Sequence, residues 1–258
     1  ALDTIIPTPK GYTTMGEIKV GDVVFDENGN TCRVVAKSNI DYSEQAYRIT
    51  FKDGEVIEAG ENHEWQGEYT RVKNKKCIMT TGELYRLPKD GNSYRFRIPI
   101  AKNIKVESTD LPIEPYLMGY WLGNGNAVKP EITIKTEDIA GVLNNIICFY
   151  ETSGLWENTG DSVVVRIPAL KQVLLKSFLD KVIPIEYLRA SKQDRLRLLQ
   201  GLMDSDGTIS KDQGQASYCS TEKALSKSVS ELLWSLGIKN AISEAASTQR
   251  NDWSKKSA

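Results

Sequence analysis

His63 is the only imidazole in the sequence, and it follows the run EVIEAG (55–60) with Trp65 two positions beyond it. An ordinary imidazole titrates near pH 6.5, so this side chain is suited to moving protons around neutrality. The plainer reading of the same residues is a surface or core histidine resting on a tryptophan. A second place for chemistry is the pair Asn124 and Asp206, a carboxamide and a carboxylate at matching positions of LMGYWLGNG (117–125) and LQGLMDSDG (199–207). Asp204 lies two residues before Asp206 and on a helix would point elsewhere. At the start of the chain, Ala1 offers no side-chain nucleophile, and Asp3 is a nearby polar residue that could orient the first residues or simply occupy a turn. Cys32, Cys77, Cys148 and Cys219 have neither metal-ligand spacing nor partner histidines, and reduced thiols are expected.

Two helices must position Asn124 and Asp206. Each ends in a glycine-marked turn, and each carries small residues four positions apart: Gly119 and Gly123 in one, Gly201 and Ser205 in the other. Residues at i and i+4 share a helix face, and small ones let two backbones come nearer than the usual spacing of about 8–10 Å. Packing along these faces would set positions 124 and 206 side by side. The segments that follow also correspond. Both run through a polar stretch and a short strand to Thr-Glu, which opens an amphipathic helix. The turn glycine and that threonine are 11 residues apart in one (Gly125, Thr136) and 14 in the other (Gly207, Thr221). An internal duplication accounts for this better than chance.

The 258 residues, 40% of them hydrophobic, suffice for two domains with cores. No apolar run approaches 18 residues and no basic-then-apolar leader is present, so neither a membrane span nor a secretion signal is expected. The formal net charge is −1, and residues 113–258 balance 17 Lys and Arg against 17 Asp and Glu. Diffuse nucleic-acid binding is therefore not supported, although a local basic surface is compatible with these numbers. Short β-branched runs punctuated by Asn28-Gly29 and Asp53-Gly54 predict a β-rich first region over 1–105. A short helix is expected near 80–87 with Thr80 or Thr81 as its cap, and a strand over 94–100. Residues 113–250 form the second expected domain. Its helices are predicted at 114–124, 137–150, 169–179, 192–205 and 222–236, with strands near 155–167 and a strand start near 241–245.

Taken together, ALDT (1–4), GYTTMGEIKVGDVVFDENG (11–29), FKDGEVIEAGENHEW (51–65), MTTGELY (79–85) and the two helix motifs resemble an intein interrupted by a LAGLIDADG homing endonuclease. The resemblance covers nearly the whole chain. It implies an all-β, horseshoe-like Hint splicing module, of which 1–105 is the N-terminal part. An α/β LAGLIDADG domain with a pseudo-two-fold duplicated αββαββα order would follow. Ala1 fits either a replaced nucleophile or the class of inteins that begins without one, and Trp65 matches the tryptophan that marks this class. That class uses a cysteine near its C-terminal splicing block as first nucleophile and is frequent in replicative helicases and related ATPases. Gly60 departs from the family, which usually has Thr or Asp three residues before the histidine. The family's C-terminal blocks, with a late aspartate and histidine, a nucleophilic cysteine and a terminal His-Asn pair, are not matched. None of the four cysteines sits in such a place and no second histidine exists. The expectation is an N-terminal piece that works with a separate C-terminal intein piece, or a truncated or cleaved intein.

By the same resemblance His63 handles the proton of the departing nitrogen, Trp65 packs over the splice centre, and Ala1 and Asp3 form the junction. Asp206 and Asn124 occupy the places where the family holds Mg²⁺. A neutral amide adds no charge as a ligand, so double-strand cleavage is expected to be absent or much reduced. Lys129, Lys135, Arg166, Lys211 and Lys223 are the available cations for double-stranded DNA. The implied partners are the C-terminal piece, the flanking host segments and DNA, in the cytoplasm of a bacterial or phage-infected cell. Other readings remain open: an active or nicking site-specific nuclease, or a non-enzymatic DNA-binding or maturase-like protein.

Overall fold

The computed structural model describes residues 1–70, 75–87, 96–150, 152, 157–171, 181–212 and 214–244. In the first region, antiparallel hairpins follow one another. They are β1 (Ile5–Thr8) with β2 (Gly11–Thr14), β3 (Val23–Phe25) with β4 (Thr31–Arg33), and β5 (Ala46–Thr50) with β6 (Val56–Gly60). β7 (Glu64–Tyr69) then pairs on one side with β8 (Lys75–Thr80) and on the other with β9 (Phe96–Arg97). The turns at Gly29 and Gly54 require positive φ, +77° and +90°, which glycine adopts without steric cost.

The expected all-β, horseshoe-like module is not what forms, because the architecture is mixed α/β throughout. Helix α1 (Thr81–Arg86) starts directly at the end of β8. Its capping box is complete: Thr80 Oγ1 accepts from Glu83 N–H at 3.2 Å, and Glu83 Oε2 accepts from Thr80 N–H at 2.8 Å. The strands, three to six residues long apart from the two-residue β9, pair only within their own hairpins or the β8–β7–β9 sheet. No ladder among the described residues links one hairpin to the next, so no continuous curled sheet is built. The expected strand over 94–100 is reduced to Phe96–Arg97 among its described residues. Ile18 and Ala59 are the only buried apolar side chains described before residue 104.

The second region has the opposite character. It comprises α2 (Pro115–Asn124), β10 (Glu131–Lys135), α3 (Ile139–Ile146), β11 (Glu157–Thr159), β12 (Ser162–Arg166), α4 (Ile185–Leu188), α5 (Lys192–Asp206), β13 (Gly207–Ser210), β14 (Gln215–Tyr218) and α6 (Lys223–Ser235). The sheet order β10-β12-β11 and the hairpin β13-β14 flank the central helices. One cluster from Ile113 to Leu236 forms the core, with Tyr116, Leu117, Trp121, Leu198 and Leu202 among its fully buried members. The predicted helix over 169–179 lies largely outside the described residues, and 241–244 carries no strand.

Helices α2 and α5 pack backbone to backbone. A Cβ at Gly119 would overlap the Leu198 carbonyl oxygen and lie 2.9 Å from Leu202 N, while one at Gly201 would overlap the Tyr116 carbonyl oxygen and lie 2.8 Å from Tyr120 N. These contacts are mirror statements of each other, since 119 and 201, 116 and 198, and 120 and 202 are each 82 positions apart. Gly123 meets its own counterpart, Ser205. A local two-fold axis therefore passes between the helices near positions 123 and 205. Both helices end the same way, on an extended glycine (Gly125 and Gly207) whose N–H bonds back to Trp121 O and Met203 O. A bridge of Gly125 to Ile132 repeats, in shortened form, the pairing of Gly207 with Tyr218.

Candidate functional site

The shared end of the two central helices brings Asn124 and Asp206 together. Asn124 Nδ2 donates to Ser205 O at 3.3 Å, and an Asp206 carboxylate oxygen lies 3.0 Å from where a Gly123 Cβ would stand. Ser205 turns its hydroxyl back onto Leu202 O at 2.8 Å, keeping the seam narrow. Burial raises the pKa of Asp206, and the nearby Lys181 opposes that shift. Asp204 is turned away, accepting from Tyr116 OH at 2.9 Å.

Lys181 was not identifiable as part of this centre from the sequence, where it is a single cation ahead of the apolar run VIPI. Its ammonium donates to Gly123 O at 3.2 Å and Gly125 O at 3.0 Å, at the carbonyl end of α2 where a cation is favoured. Burial lowers its pKa, while Asp206 and then Glu222 act in the opposite direction. Tyr218 is a second unforeseen member. Its hydroxyl is buried and, among the described residues, has no hydrogen-bond partner; burial and then the Asp206 charge raise its pKa. Tyr120 OH donates to Thr133 O at 3.3 Å on the other side.

With one carboxylate in place of two, this end offers a magnesium ion a reduced donor set. Mg²⁺ is normally held by carboxylates, phosphates and water in a near-octahedral shell. Here one carboxylate faces an amide whose N–H is committed to Ser205, and the nearest compensating charge is the Lys181 ammonium. Among the described residues no three acidic, histidine or cysteine side chains converge.

The cations expected to face DNA are dispersed. Lys129, Lys135, Arg166 and Lys211 are exposed. Glu131 opposes Arg166 and Lys135 opposes Ser162 in the β10–β12 ladder, so Lys135 and Arg166 stand at opposite ends of that sheet. Lys211 follows β13, and Lys223 is ion-paired with Glu244 at 2.5 Å.

A second centre surrounds His63, in the turn between β6 and β7. The imidazole is exposed and meets the Trp65 ring edge-on, with centroids 4.7 Å apart at 74°. Thr81, unrecognised in this role from the sequence, ties both residues down. Its hydroxyl accepts from Trp65 Nε1 at 2.9 Å and donates to His63 O at 3.3 Å, while its N–H donates to the same carbonyl at 3.0 Å. Thr81→Val keeps the shape and removes the hydroxyl. We expect it to cost roughly 1–2 kcal/mol in denaturant unfolding and to broaden the Trp65 indole N–H resonance. The space next to Gly60 is taken by the Glu44 carboxylate, which accepts from Asn62 N–H at 2.9 Å. Ala1 and Asp3 are exposed, and no hydrogen bond or ring contact of the described residues joins them to His63 or Trp65.

Residues 194–256 match the family model of the LAGLIDADG-like domain. The chain combines an intein-like splicing domain with a LAGLIDADG homing-endonuclease domain. That combination is consistent with DnaB inteins, and the chain is 30% identical over 280 residues to the replicative DNA helicase DnaB of Mycobacterium intracellulare, covering 98% of this chain and 45% of that protein. The replicative DNA helicase DnaB of Mycobacterium leprae (strain TN) is 42% identical over 69 residues, 27% of this chain and 11% of that one. The chain thus spans less than half the length of the curated relatives it matches. Among solved structures, the MchDnaB-1 intein is 35% identical with 38% of this chain and 65% of that one covered, at a TM-score of 0.29. The Msm DnaB1 intein splicing domain bound with zinc is 34% identical, with 34% and 62% covered, at a TM-score of 0.28. Among the described residues no helix is long and apolar enough to cross a membrane.

Proposed function

We propose that residues 1–105 are the N-terminal part of a splicing module that acts with a C-terminal intein piece, and that the LAGLIDADG domain within 113–250 is degenerate as a nuclease. The observation that carries this reading is the missing core of the first region. Ile5 (66% exposed), Ile78 (61%) and Val35 (87%) lie open beside strands that have no second layer among the described residues. Two-stranded hairpins are marginal alone, and exposed apolar strand faces of this extent are normally covered. Strands from a C-terminal piece would supply that cover.

In this reading a cysteine of the added piece attacks the carbonyl preceding Ala1, and His63 protonates the departing Ala1 nitrogen. Trp65 and Thr81 hold the His63 turn, and Asp3 orients the junction. The substrates are the flanking host segments, of a replicative helicase or related ATPase, in a bacterial or phage-infected cytoplasm. Mixing the chain, carrying a short N-terminal host segment, with a C-terminal piece whose His-Asn is followed by a Ser, Thr or Cys acceptor and a short host segment tests this by mass spectrometry. A new peptide bond or a released N-terminal segment is expected, and loss of both with His63→Ala; an unrearranged mixture counts against the reading.

A second activity, magnesium-dependent nicking of the uninterrupted host gene, is favoured by one observation. Asp206 remains at the tight helix end even though Asn124 does not supply a second carboxylate. Double-strand cleavage is expected to be absent or much reduced in the wild-type chain. Asn124→Asp is expected to raise Mg²⁺-dependent cutting of both strands by at least tenfold, equivalent to about 1.4 kcal/mol in the barrier. Plasmid relaxation and linearisation assays read the two activities separately, and unchanged inactivity would remove position 124 from the site.

A further inference from the structure

Arg189 follows α4 in the second region but directs Nε and Nη2 to the first, while Nη1 stays within the second on Glu231 and Leu188 O. Its side chain is only 6% exposed. Nε donates to Thr8 O at 2.8 Å and Nη2 to Gly11 O at 3.1 Å, the two residues that close the β1–β2 hairpin. The guanidinium carbon lies 5.0 Å from the centroid of the Tyr12 ring. Nη1 is held from behind by Glu231 of α6 at 3.2 Å, so the fork is aimed before it meets the hairpin. Ile185 of α4 completes the seat, 3.9 Å from where a Gly11 Cβ would lie.

The same hairpin carries the beginning of the chain. From the gripped end the ladder runs back through Pro7–Tyr12 and Ile6–Thr13 to Ile5–Thr14. Two backbone bonds continue it, Met15 N–H to Thr4 O at 2.9 Å and Gly16 N–H to Leu2 O at 2.8 Å. Residue 1 is thus the next link of a ribbon whose far end is clamped. At its open end the Lys37 ammonium donates to Gly16 O at 2.7 Å and Ile18 O at 2.9 Å, but Ile5 and Tyr12 are 66% and 47% exposed and an isolated hairpin is marginal. A charged fork donating to two carbonyls is a strong and directional hold.

We infer that Arg189 is a positioning residue through which the LAGLIDADG domain sets the N-terminal hairpin, and with it Ala1, for peptide-bond rearrangement. The last clause rests on the splicing reading given above; the clamp on the hairpin does not. A lysine cannot reproduce the hold, since a single ammonium lacks the planar fork that reaches Thr8 O, Gly11 O and Glu231 together.

Amide hydrogen exchange on the whole chain tests the clamp without any splicing. In Arg189→Gln the amides of Ile6, Met15 and Gly16 are expected to exchange about tenfold faster or more, the loss of a charged hydrogen-bonding group. Amides of α2 should keep their protection. Arg189→Lys is expected to fall between wild type and Arg189→Gln. Unchanged exchange at Met15 and Gly16 in a folded Arg189→Gln chain overturns the inference. Should that variant not fold, Tyr12→Leu with Glu231→Gln removes the stacking and the backing carboxylate but leaves the arginine; faster exchange supports the clamp and wild-type exchange overturns it. With a saturating C-terminal piece, Arg189→Gln is expected to slow the first-order rearrangement about tenfold without weakening association of the two pieces. A loosened hairpin that rearranges at the wild-type rate overturns the positioning role. A wild-type chain that never rearranges defeats the splicing reading alone, and the exchange result still decides the clamp.

Discussion

Gly119→Val should destabilise the second region by at least about 3 kcal/mol, enough to remove much of a typical domain's stability of roughly 5–15 kcal/mol. The reason is the position of the new atoms. A Cβ there would overlap the Leu198 carbonyl oxygen and press on Leu202 N, and neither can swing aside as a side chain can. The helices must separate, and every buried contact between Tyr116, Tyr120, Leu198 and Leu202 is loosened with them. The local two-fold relation gives an internal check, since Gly201→Val meets the same backbone atoms of Tyr116 and Tyr120 and should cost about as much. Gly141 in α3 is the contrasting position. Nothing lies within 4 Å of its Cβ site, and Gly141→Ala should be neutral or stabilising by up to about 1 kcal/mol. Urea midpoints followed by circular dichroism measure all three. A mild Gly119→Val would mean that the helices do not touch along their backbones.

That contact was readable in the sequence because small residues at spacing four have one structural use on paired helices. The glycines ending each helix and a cap at Thr80 or Thr81 were legible for a similar reason, being local rules that act over three or four residues. The first region was misjudged as an all-β curled sheet because alternation specifies two faces of a strand and says nothing about its neighbour. Hairpin turns such as Asn28-Gly29 choose a partner; β3, β4, β5 and β6 have no comparable signal linking one hairpin to the next. Lys181 was hidden by distance. It sits 58 residues beyond Gly123 in sequence yet bonds to its carbonyl, and no local pattern announces it. Tyr218 and Thr81 were hidden by resemblance to ordinary strand and cap residues. Chemistry that depends on one side chain arriving from another element is the part a linear reading recovers least.

Arg195 supports the second large prediction, which concerns how the two regions stay joined. Its side chain is fully buried, and no carboxylate is among its hydrogen-bond partners. The guanidinium donates to Ala190 O at 3.0 Å, to Ile104 O at 2.5 Å and to Ser235, through both its carbonyl and its hydroxyl. Burial lowers its pKa to about 10, so it remains charged at neutral pH. Three carbonyls from α6, from the turn before α5 and from the connecting segment therefore converge on one cation. That segment is also bonded to the first region, by Lys102 N–H to Glu27 O at 2.9 Å and Lys105 N–H to Gly29 O at 2.7 Å. Arg195→Ala removes the donors, leaves carbonyls without their partner at about 1–3 kcal/mol each, and opens a cavity. Loss of the buried charge's own desolvation cost offsets part of this. The net expected destabilisation is about 4 kcal/mol, against about 2 kcal/mol for Arg195→Met, which fills the space but donates nothing. Because Ile104 O is one of the abandoned groups, cleavage by a protease within 101–112 should accelerate before the core of the second region opens. If the connecting segment stayed protected while global stability fell, Arg195 would be a brace for α5 and α6 alone, and the seam between the regions would have to be held by Arg189 and by the Lys239–Asp53 ion pair, 2.7 Å long.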